Sequence, residues 1–158
     1  MSLAPLFLLP EWQAPPGVRA LSTMRRGGVS APPRDSLNLG AHVGDDREAV
    51  AANRRRLRDA AGLPAEPQWL DQVHGIDVAD LDHEDCGPCA DAAVSSRPGR
   101  VCVVLTADCL PVVLASSDGA VVAVAHAGWR GLAAGVVEAT LDAMRSKVAA
   151  GTTLQAWL

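Results

Sequence analysis

Three apolar runs in the second half of the chain constrain its fold more than any other feature. They cover residues 101–106, 112–115 and 120–125, and Asp118-Gly119 makes a tight turn between the last two. Short valine-rich runs bounded by turn-forming residues are typical of buried strands. The segment after Gly128 instead has helical spacing, with one face carrying Leu132, Val136, Val137, Leu141, Met144 and Val148. We expect an α/β (α+β) fold of mixed, partly antiparallel sheet layers with flanking helices, the last ending near Gly151.

The first half of the chain predicts one helix among shorter elements. Residues 1–45 are rich in proline and glycine, which favours strands joined by structured loops. A helix is predicted over residues 47–61, because Asp45 or Asp46 can cap its start and Gly62 follows its end. Residues 69–74 predict a strand that ends at His74, and residues 152–158 predict the beginning of another strand. No turn or polar tail follows that last strand, so we expect the front of a longer domain.

Composition narrows the class of protein. With 158 residues, 49% of them hydrophobic, the chain is long enough for one domain with a core and short for two. Its formal net charge of −4 argues against nucleic acid as a partner. The apolar stretch 3–9 is too short for a membrane span and lacks the basic start of a signal peptide. A cytoplasmic protein with reduced cysteines and no membrane segment is therefore expected.

Three residues that bind transition metals are predicted to follow strands: His74, Cys109 and His126. Two imidazoles and one thiolate suit zinc, and three protein ligands leave the fourth tetrahedral position open, as in catalytic sites. Taken singly, each residue could be structural. Because strand ends are where α/β sheets place reactive groups, the three together predict one open zinc site.

A second cysteine pair, Cys86-Gly87-Pro88-Cys89, has the Cys-x-x-Cys form of a dithiol redox centre. Its surroundings oppose that function, because three acidic residues precede it and disfavour a reactive thiolate: Asp82, Glu84 and Asp85. With His83 nearby, the loop could instead bind a second metal or simply be solvated.

Arg54 stands out among the charged residues. It falls at helical spacing with Val50, Leu57 and Ala61, so its guanidinium starts from the buried stripe of the predicted helix and not from its wet face. Two interpretations stay open: an arginine that snorkels around the helix edge, or a fork that binds phosphate or a substrate oxygen. The turn Gly128-Trp129-Arg130-Gly131 is likewise open to two interpretations, an anion-binding helix start or a tight connection.

Three segments carry a family likeness: Gln72-Val73-His74-Gly75, Thr106-Ala107-Asp108-Cys109-Leu110-Pro111 and His126-Ala127-Gly128-Trp129-Arg130-Gly131. The front half adds Arg25-Arg26-Gly27-Gly28-Val29-Ser30, Ser36-Leu37-Asn38-Leu39-Gly40, Val43-Gly44-Asp45-Asp46 and Asn53-Arg54. Together they resemble the YfiH family, long labelled laccase-domain or polyphenol oxidase proteins. The sequence departs at Met24, where the family usually has threonine. Residues 1–158 are expected to form a single YfiH-like domain that lacks the C-terminal portion of a typical member.

The resemblance implies a zinc site on His74, Cys109 and His126. We predict these three as catalytic residues together with Asp108, which could help stabilise the leaving purine. It implies phosphorolysis of purine nucleosides (adenosine, inosine, guanosine and methylthioadenosine) and deamination of adenosine, so the partners would be a small nucleoside and phosphate. A homo-oligomer is left open.

By the same resemblance Arg54 would lie in the substrate or phosphate pocket, with Asn38 and Ser30 as further candidates. Two alternatives stay open. A copper-dependent polyphenol oxidase is opposed by the histidine count, because laccase chemistry requires several coppers held by many histidines and only four occur here. The other alternative is an inactive, zinc-stabilised fragment.

Overall fold

The computed structural model describes residues 7–83 and 89–158. They divide into two compact units. Of the described residues, 7–11 and 20–66 form the front unit, and 12–19, 67–83 and 89–158 form the rear unit. Within the described ranges, no helix has both the length and the apolar character that crossing a membrane requires. A single domain over residues 1–158 stays a prediction.

The front unit contains a short ribbon and one helix. Strand β1 (Phe7–Leu8) pairs antiparallel with β2 (Ser22–Thr23). Helix α1 (Arg47–Ala61) has the bounds that the sequence predicts. Its start is fixed by the Asp46 carboxylate, which accepts a hydrogen bond from the Ala49 N–H at 2.8 Å, and its end by Gly62, whose φ of 57° is left-handed. Its buried residues are Val50, Asn53, Leu57 and Ala61.

The rear unit contains a five-stranded mixed sheet. Its strands are β3 (Val78–Asp80), β4 (Ala92–Ser95), β5 (Leu110–Ser116), β6 (Val122–Ala127) and β7 (Leu154–Trp157), in the spatial order β3-β4-β6-β5-β7. Strands β3 and β4 are parallel, whereas the β4–β6, β6–β5 and β5–β7 pairs are antiparallel. The predicted mixed, partly antiparallel sheet is confirmed, and β5, β6 and β7 lie on predicted runs.

Two consecutive helices follow β6. They are α2 (Trp129–Ala134) and α3 (Val136–Arg145). Val136 and Met144 of α3 are fully buried and pack against small and branched side chains from β4, β5 and β6. This cluster is the main core of the rear unit, and its apolar contacts press α3 onto the sheet.

The prediction of one continuous helix ending near Gly151 is wrong. Gly135 ends α2, because its φ of 103° is left-handed and its N–H donates to the carbonyls of Gly131 and Leu132. Helix α3 ends at Arg145. Beyond the break, the predicted apolar face packs on the core as expected: Val136, Val137, Leu141, Met144 and Val148. Leu132 lies before the break and is 50% exposed, so its predicted place on that face is wrong.

Two other predicted strands, over residues 69–74 and 101–106, do not form. Nearby Gln68 and Cys102 make one isolated parallel bridge. The Gln72 side chain donates to the Leu105 carbonyl at 2.8 Å and accepts from the Leu105 N–H at 2.7 Å. A side-chain amide therefore satisfies backbone groups that a strand partner would otherwise satisfy. The sequence analysis also missed β3 and β4, which are short, and Ala92-Ala93 has little strand preference.

A buried carboxylate links α3's C-terminal side to the sheet. Asp82 is 6% exposed and accepts hydrogen bonds from Ser95 Oγ at 2.6 Å, from Ser96 and from Lys147 Nζ at 2.8 Å. Burial alone would raise the pKa of Asp82, but these partners outweigh it and hold the pKa well below its usual value. Burial would lower the pKa of Lys147, but its contacts with Asp80 and Asp82 raise it.

We expect Asp82→Asn to destabilise the chain by about 1–3 kcal/mol at neutral pH, because buried donors lose a charged acceptor. The folded pKa of Asp82 is depressed, so its contribution is present above the unfolded pKa of about 3.9 and is lost as the pH falls toward the folded value. Thermal melts across this range should show the Tm difference shrinking below about pH 4. Asp71→Asn, at an exposed carboxyl, is the control; a pH-independent difference would contradict the assignment.

Candidate metal centre

The register of β5 and β6 brings Cys109 beside His126. Leu110 pairs with Ala127 and Pro111 pairs with His126, so Cys109, the residue before β5, lies next to the end of β6. His126 is 4% exposed. The expectation that both residues follow strands is wrong in detail, because Cys109 precedes its strand and His126 lies inside β6. They nevertheless meet at neighbouring strand termini.

Asp91, the residue before β4, contacts both His74 and His126 and so holds His74 near the end of β6. Its backbone carbonyl accepts a hydrogen bond from the His126 N–H at 2.7 Å, which extends the β4–β6 ladder by one residue. Its carboxylate accepts from the N–H groups of Val73, His74 and Gly75 at 2.7–3.1 Å and lies 2.8 Å from His126 Nδ1. These bonds to a side chain explain why residues 69–74 do not end as a strand.

The three predicted ligands form one compact group. Cys109 Sγ lies 3.7 Å from His74 Nε2, and one ligand atom from each of His74, Cys109 and His126 lies within 4.8 Å of the others. The two imidazole rings are 4.7 Å apart at 66°. Nitrogen and sulfur ligands on a tetrahedral zinc are roughly 3.3–3.6 Å from each other. The group is therefore able to hold one metal ion after small side-chain shifts; we call it the metal group.

Burial and charge differ across the metal group. His126 is buried, Cys109 is half-buried and His74 is exposed. Burial alone would raise the pKa of Asp91, but hydrogen bonds from His126 and from residues 73–75 outweigh it and lower that pKa. At Cys109, burial and the neighbouring Asp108 carboxylate raise the thiol pKa. A cation at Cys109 would therefore have to displace a proton, which couples metal binding to proton release.

An open cleft of about 380 Å³ lies over the metal group. The potential metal ligands His74 and Cys109 line this cleft. The other lining residues include Asp108, Leu110, Trp129, Arg130 and Leu132. The Trp129 side chain is 74% exposed, and its ring lies 5.1 Å from the Arg130 guanidinium carbon. The cleft thus offers a carboxylate, a cation and an aromatic face beside the potential metal ligands.

Gly128 permits the close packing of the metal group. A Cβ at this position would lie 2.7 Å from Cys109 Sγ and 3.0 Å from His74 Cδ2, too close for both side chains to stay in place. The tight-connection interpretation of Gly128-Trp129-Arg130-Gly131 therefore has a direct cause. Anion binding at this turn stays a prediction.

Arg54, in the front unit, is anchored to a backbone carbonyl. Its Nε and Nη2 both donate to the Leu39 carbonyl, at 3.0 Å and 2.8 Å. Its side chain is half-buried, and burial lowers the pKa of the guanidinium. The prediction that it starts from the buried side of α1 agrees with this environment, whereas its contact with substrate stays a prediction.

Asn53 orders the loops that carry the other two front-unit candidates. It is fully buried, and its Nδ2 donates to Ser30 Oγ at 2.9 Å and to the carbonyls of Asn38 at 2.8 Å and Ser36 at 3.1 Å. Its Oδ1 accepts from the Val29 N–H at 2.8 Å. Ser30 and Asn38 therefore lie on segments held by one amide, and their role in substrate binding stays a prediction.

Cys89 and Cys102, the other cysteines among the described residues, are not members of the metal group. The interpretation of the Cys86–Cys89 loop rests on Cys86, which lies outside the described residues, while Cys89 is exposed. Burial, with the charges of Asp82 and Asp80, raises the pKa of the Cys102 thiol to about 12, so this cysteine is a poor nucleophile.

The sequence analysis missed Asp91, although one signal was present. An acidic residue directly before Ala92-Ala93-Val94 interrupts an apolar run, and a fully buried carboxylate requires partners. What those partners are depends on the register of β4 and β6, which no local pattern specifies.

Fold and site together define a mixed α/β protein with a histidine–cysteine–histidine group able to hold a metal ion. A family model described as "Multi-copper polyphenol oxidoreductase laccase" matches residues 19–158. The chain is 51% identical over 152 residues to "Purine nucleoside phosphorylase YfiH" of Shigella flexneri, covering 96% of this chain and 61% of that protein. The protein of the same name from Escherichia coli (strain K12) is 55% identical over 136 residues, covering 85% and 56%.

A solved structure shows the same fold. The "hypothetical protein YfiH" of Bacillus licheniformis superposes with a TM-score of 0.83 at 29% identity, covering 98% of this chain and 61% of that one. The chain belongs to the YfiH family. It spans about three fifths of the length of the curated relatives that it matches.

We expect Cys109→Ser to weaken zinc binding by at least about tenfold, because a serine hydroxyl is a much poorer zinc ligand than a thiolate. Elemental analysis after purification without added metal should find about one zinc per wild-type chain and little in the variant. Cys89→Ser is the matched control, since this exposed cysteine lies outside the metal group. Equal metal loss in both variants would argue against Cys109 as a ligand.

Proposed function

We propose that the chain is a zinc-dependent purine nucleoside phosphorylase that also deaminates adenosine. The observation that carries the proposal is the group of His74, Cys109 and His126 beside an open cleft, in a chain whose relatives are named purine nucleoside phosphorylase. The proposed substrates are phosphate with adenosine, inosine, guanosine or methylthioadenosine. We further propose a cytoplasmic location and no nucleic acid polymer as partner.

The chemistry of the donor set supports zinc. Two imidazoles and one thiolate are borderline to soft ligands, and zinc accepts both in a tetrahedral site. Copper binds such sites more tightly in the general affinity order, so the supply of metal also matters. A bound zinc would act as a Lewis acid toward a substrate in the cleft.

Residues around the cleft offer the other functions that phosphorolysis needs. The exposed carboxylate of Asp108 lies 3.9 Å from Cys109 Sγ and is proposed to help stabilise the departing purine by accepting a hydrogen bond from one of its N–H groups. The exposed ring of Trp129 presents a flat apolar face of the kind on which a purine can stack, and Arg130 places a cation beside it.

Arg54 is the proposed phosphate ligand. Its contact with the Leu39 carbonyl through both Nε and Nη2 fixes the plane of the guanidinium, which lowers the entropy that anion binding costs. A planar guanidinium binds phosphate oxygens with directed, charge-assisted hydrogen bonds. Ser30 and Asn38, on loops ordered by Asn53, are proposed to contact the nucleoside.

A copper-dependent polyphenol oxidase is the second candidate, favoured by the description of the matching family model. Laccase chemistry requires several coppers, whereas the chain has four histidines. Over residues 7–83 and 89–158, the group of three potential ligands contains two of these histidines. This small number of potential ligands argues against a site that holds several coppers, and so against multicopper oxidation. An inactive, zinc-stabilised fragment is the third candidate, because the chain matches only part of each relative.

We expect purified, metal-quantified chain to release hypoxanthine from inosine only when phosphate is present, and to convert adenosine to inosine without phosphate. Chromatography of a nucleoside panel, run with and without phosphate, measures both reactions. Oxygen uptake with phenols, together with two or more bound coppers, would favour the oxidase. Bound zinc with no turnover of any substrate would favour the fragment.

We expect Arg54→Lys to raise the KM for phosphate by about 10- to 100-fold, because lysine keeps the charge but loses the planar pair of donors, worth about 1.5–3 kcal/mol. Arg55→Lys is the matched control, since Arg55 is exposed on the neighbouring face of α1. Kinetics against phosphate concentration should be read beside thermal melts and zinc content. Unchanged phosphate kinetics in Arg54→Lys would argue against Arg54 as the phosphate ligand.

A further inference from the structure

We propose that Asp91 is a positioning residue that prepares both histidines for the metal. It fixes which ring nitrogen of His126 carries the proton, and it holds His74 in a left-handed backbone conformation. The proposal rests on the metal centre of the proposed function, but not on the reaction that occurs there.

The first part concerns the tautomer of His126. The side chains of His126 and Asp91 are 5% and 0% exposed, and Nδ1 lies 2.8 Å from Asp91 Oδ1. The same carboxylate accepts hydrogen bonds from the N–H groups of Val73, His74 and Gly75, so it acts as an acceptor toward all these neighbours. Two lone pairs do not face each other at 2.8 Å, so Nδ1 carries the proton. The Nε2 lone pair is thereby left for the metal.

The second part concerns the backbone of His74. Across residues 7–83 and 89–158, His74 is the one non-glycine residue with a positive φ, at 62°. This conformation costs a side-chain-bearing residue about 1–2 kcal/mol. Three consecutive N–H groups, those of residues 73–75, converge on the Asp91 carboxylate and offset that cost. The same turn places His74 Nε2 3.7 Å from Cys109 Sγ.

Asp91 is itself held rigidly. Its N–H donates to the Asp77 carbonyl at 3.1 Å, and its carbonyl accepts from the His126 N–H at 2.7 Å. The next residue, Ala92, pairs with Ala125 in the sheet. The sheet therefore fixes the carboxylate, and the carboxylate fixes a loop residue and a strand residue relative to each other. Carboxylates that orient metal-binding histidines typically contribute 10- to 100-fold in metal affinity.

Asp91→Asn tests the proposal, because it keeps the shape of the side chain but replaces one acceptor by a donor. Whichever way the amide faces, its NH2 group meets N–H donors: those of His74 and His126 on one side, or those of Val73 and Gly75 on the other. We expect zinc and cobalt(II) to bind about 10- to 100-fold more weakly, measured by competition with a chromophoric chelator. The thiolate-to-cobalt absorption band should weaken or shift as the ligand geometry changes.

Asp82→Asn is the matched control. Asp82 is also a buried carboxylate with several donors, but it contacts Ser95 and Ser96 at the opposite end of β4 from Asp91. A purely structural role predicts the same result for both variants: a lower Tm and unchanged metal affinity. The positioning role predicts weaker metal binding for Asp91→Asn alone. Equal metal affinity of wild type and folded Asp91→Asn would overturn the proposal.

A second measurement uses the unsubstituted chain and needs no metal. Nitrogen-15 NMR of the metal-free protein reports the His126 tautomer, and we expect the proton on Nδ1. A neutral ring with its proton on Nε2 and none on Nδ1 would overturn the proposal even if Asp91→Asn fails to fold. A wild-type chain that binds neither zinc nor cobalt would contradict the proposed metal centre, while the NMR result would still decide the interaction between Asp91 and His126.

Discussion

The placement of β6 between β4 and β5 is the constraint on which the candidate site depends. Both neighbours run antiparallel to β6, so the residues just before each of them lie at the end of β6. That register places Asp91 on one side of His126 and Cys109 on the other. A shift of one residue in either pairing would turn the alternate side chains to the other face of the sheet and separate the group. The core under α3 therefore also stabilises the site geometry.

Sequence patterns specify the elements whose signals are local. Helix α1 is bounded as predicted, because Asp46 and Gly62 cap it within the chain's own sequence. Residues 69–74 and 101–106 resembled strands, but their backbone groups bond to the side chains of Asp91 and Gln72, which a period-two pattern cannot reveal. The sequence could propose the three members of the metal group. It could not identify Asp91, because that role depends on a pairing between strands distant in sequence.

Asp82 and Asp91 are both buried carboxylates of the rear unit, but they have different hydrogen-bond partners and different roles. Lys147 balances the charge of Asp82, and the hydroxyls of Ser95 and Ser96 donate hydrogen bonds to it. These contacts link the sheet to the segment that follows α3. Asp91 instead has the His126 ring and backbone N–H groups as its hydrogen-bond partners. Its negative charge is therefore directed toward His126 and, through that ring, toward the metal group. Burial alone does not distinguish the two; the identity of the donors does.

The break at Gly135 connects the failed helix prediction to the chemistry of the cleft. A continuous helix would place Leu132 on the same apolar stripe as Val136, facing the core. The left-handed turn at Gly135 instead leaves Leu132 half-exposed and, with Trp129, on the wall of the cleft over the metal group. Exposing large apolar side chains is unfavourable unless something covers them, and a purine base would cover an aromatic and an aliphatic side chain at once. The glycine that interrupts the helical pattern therefore moves apolar surface from the core to the site where we propose the nucleoside binds.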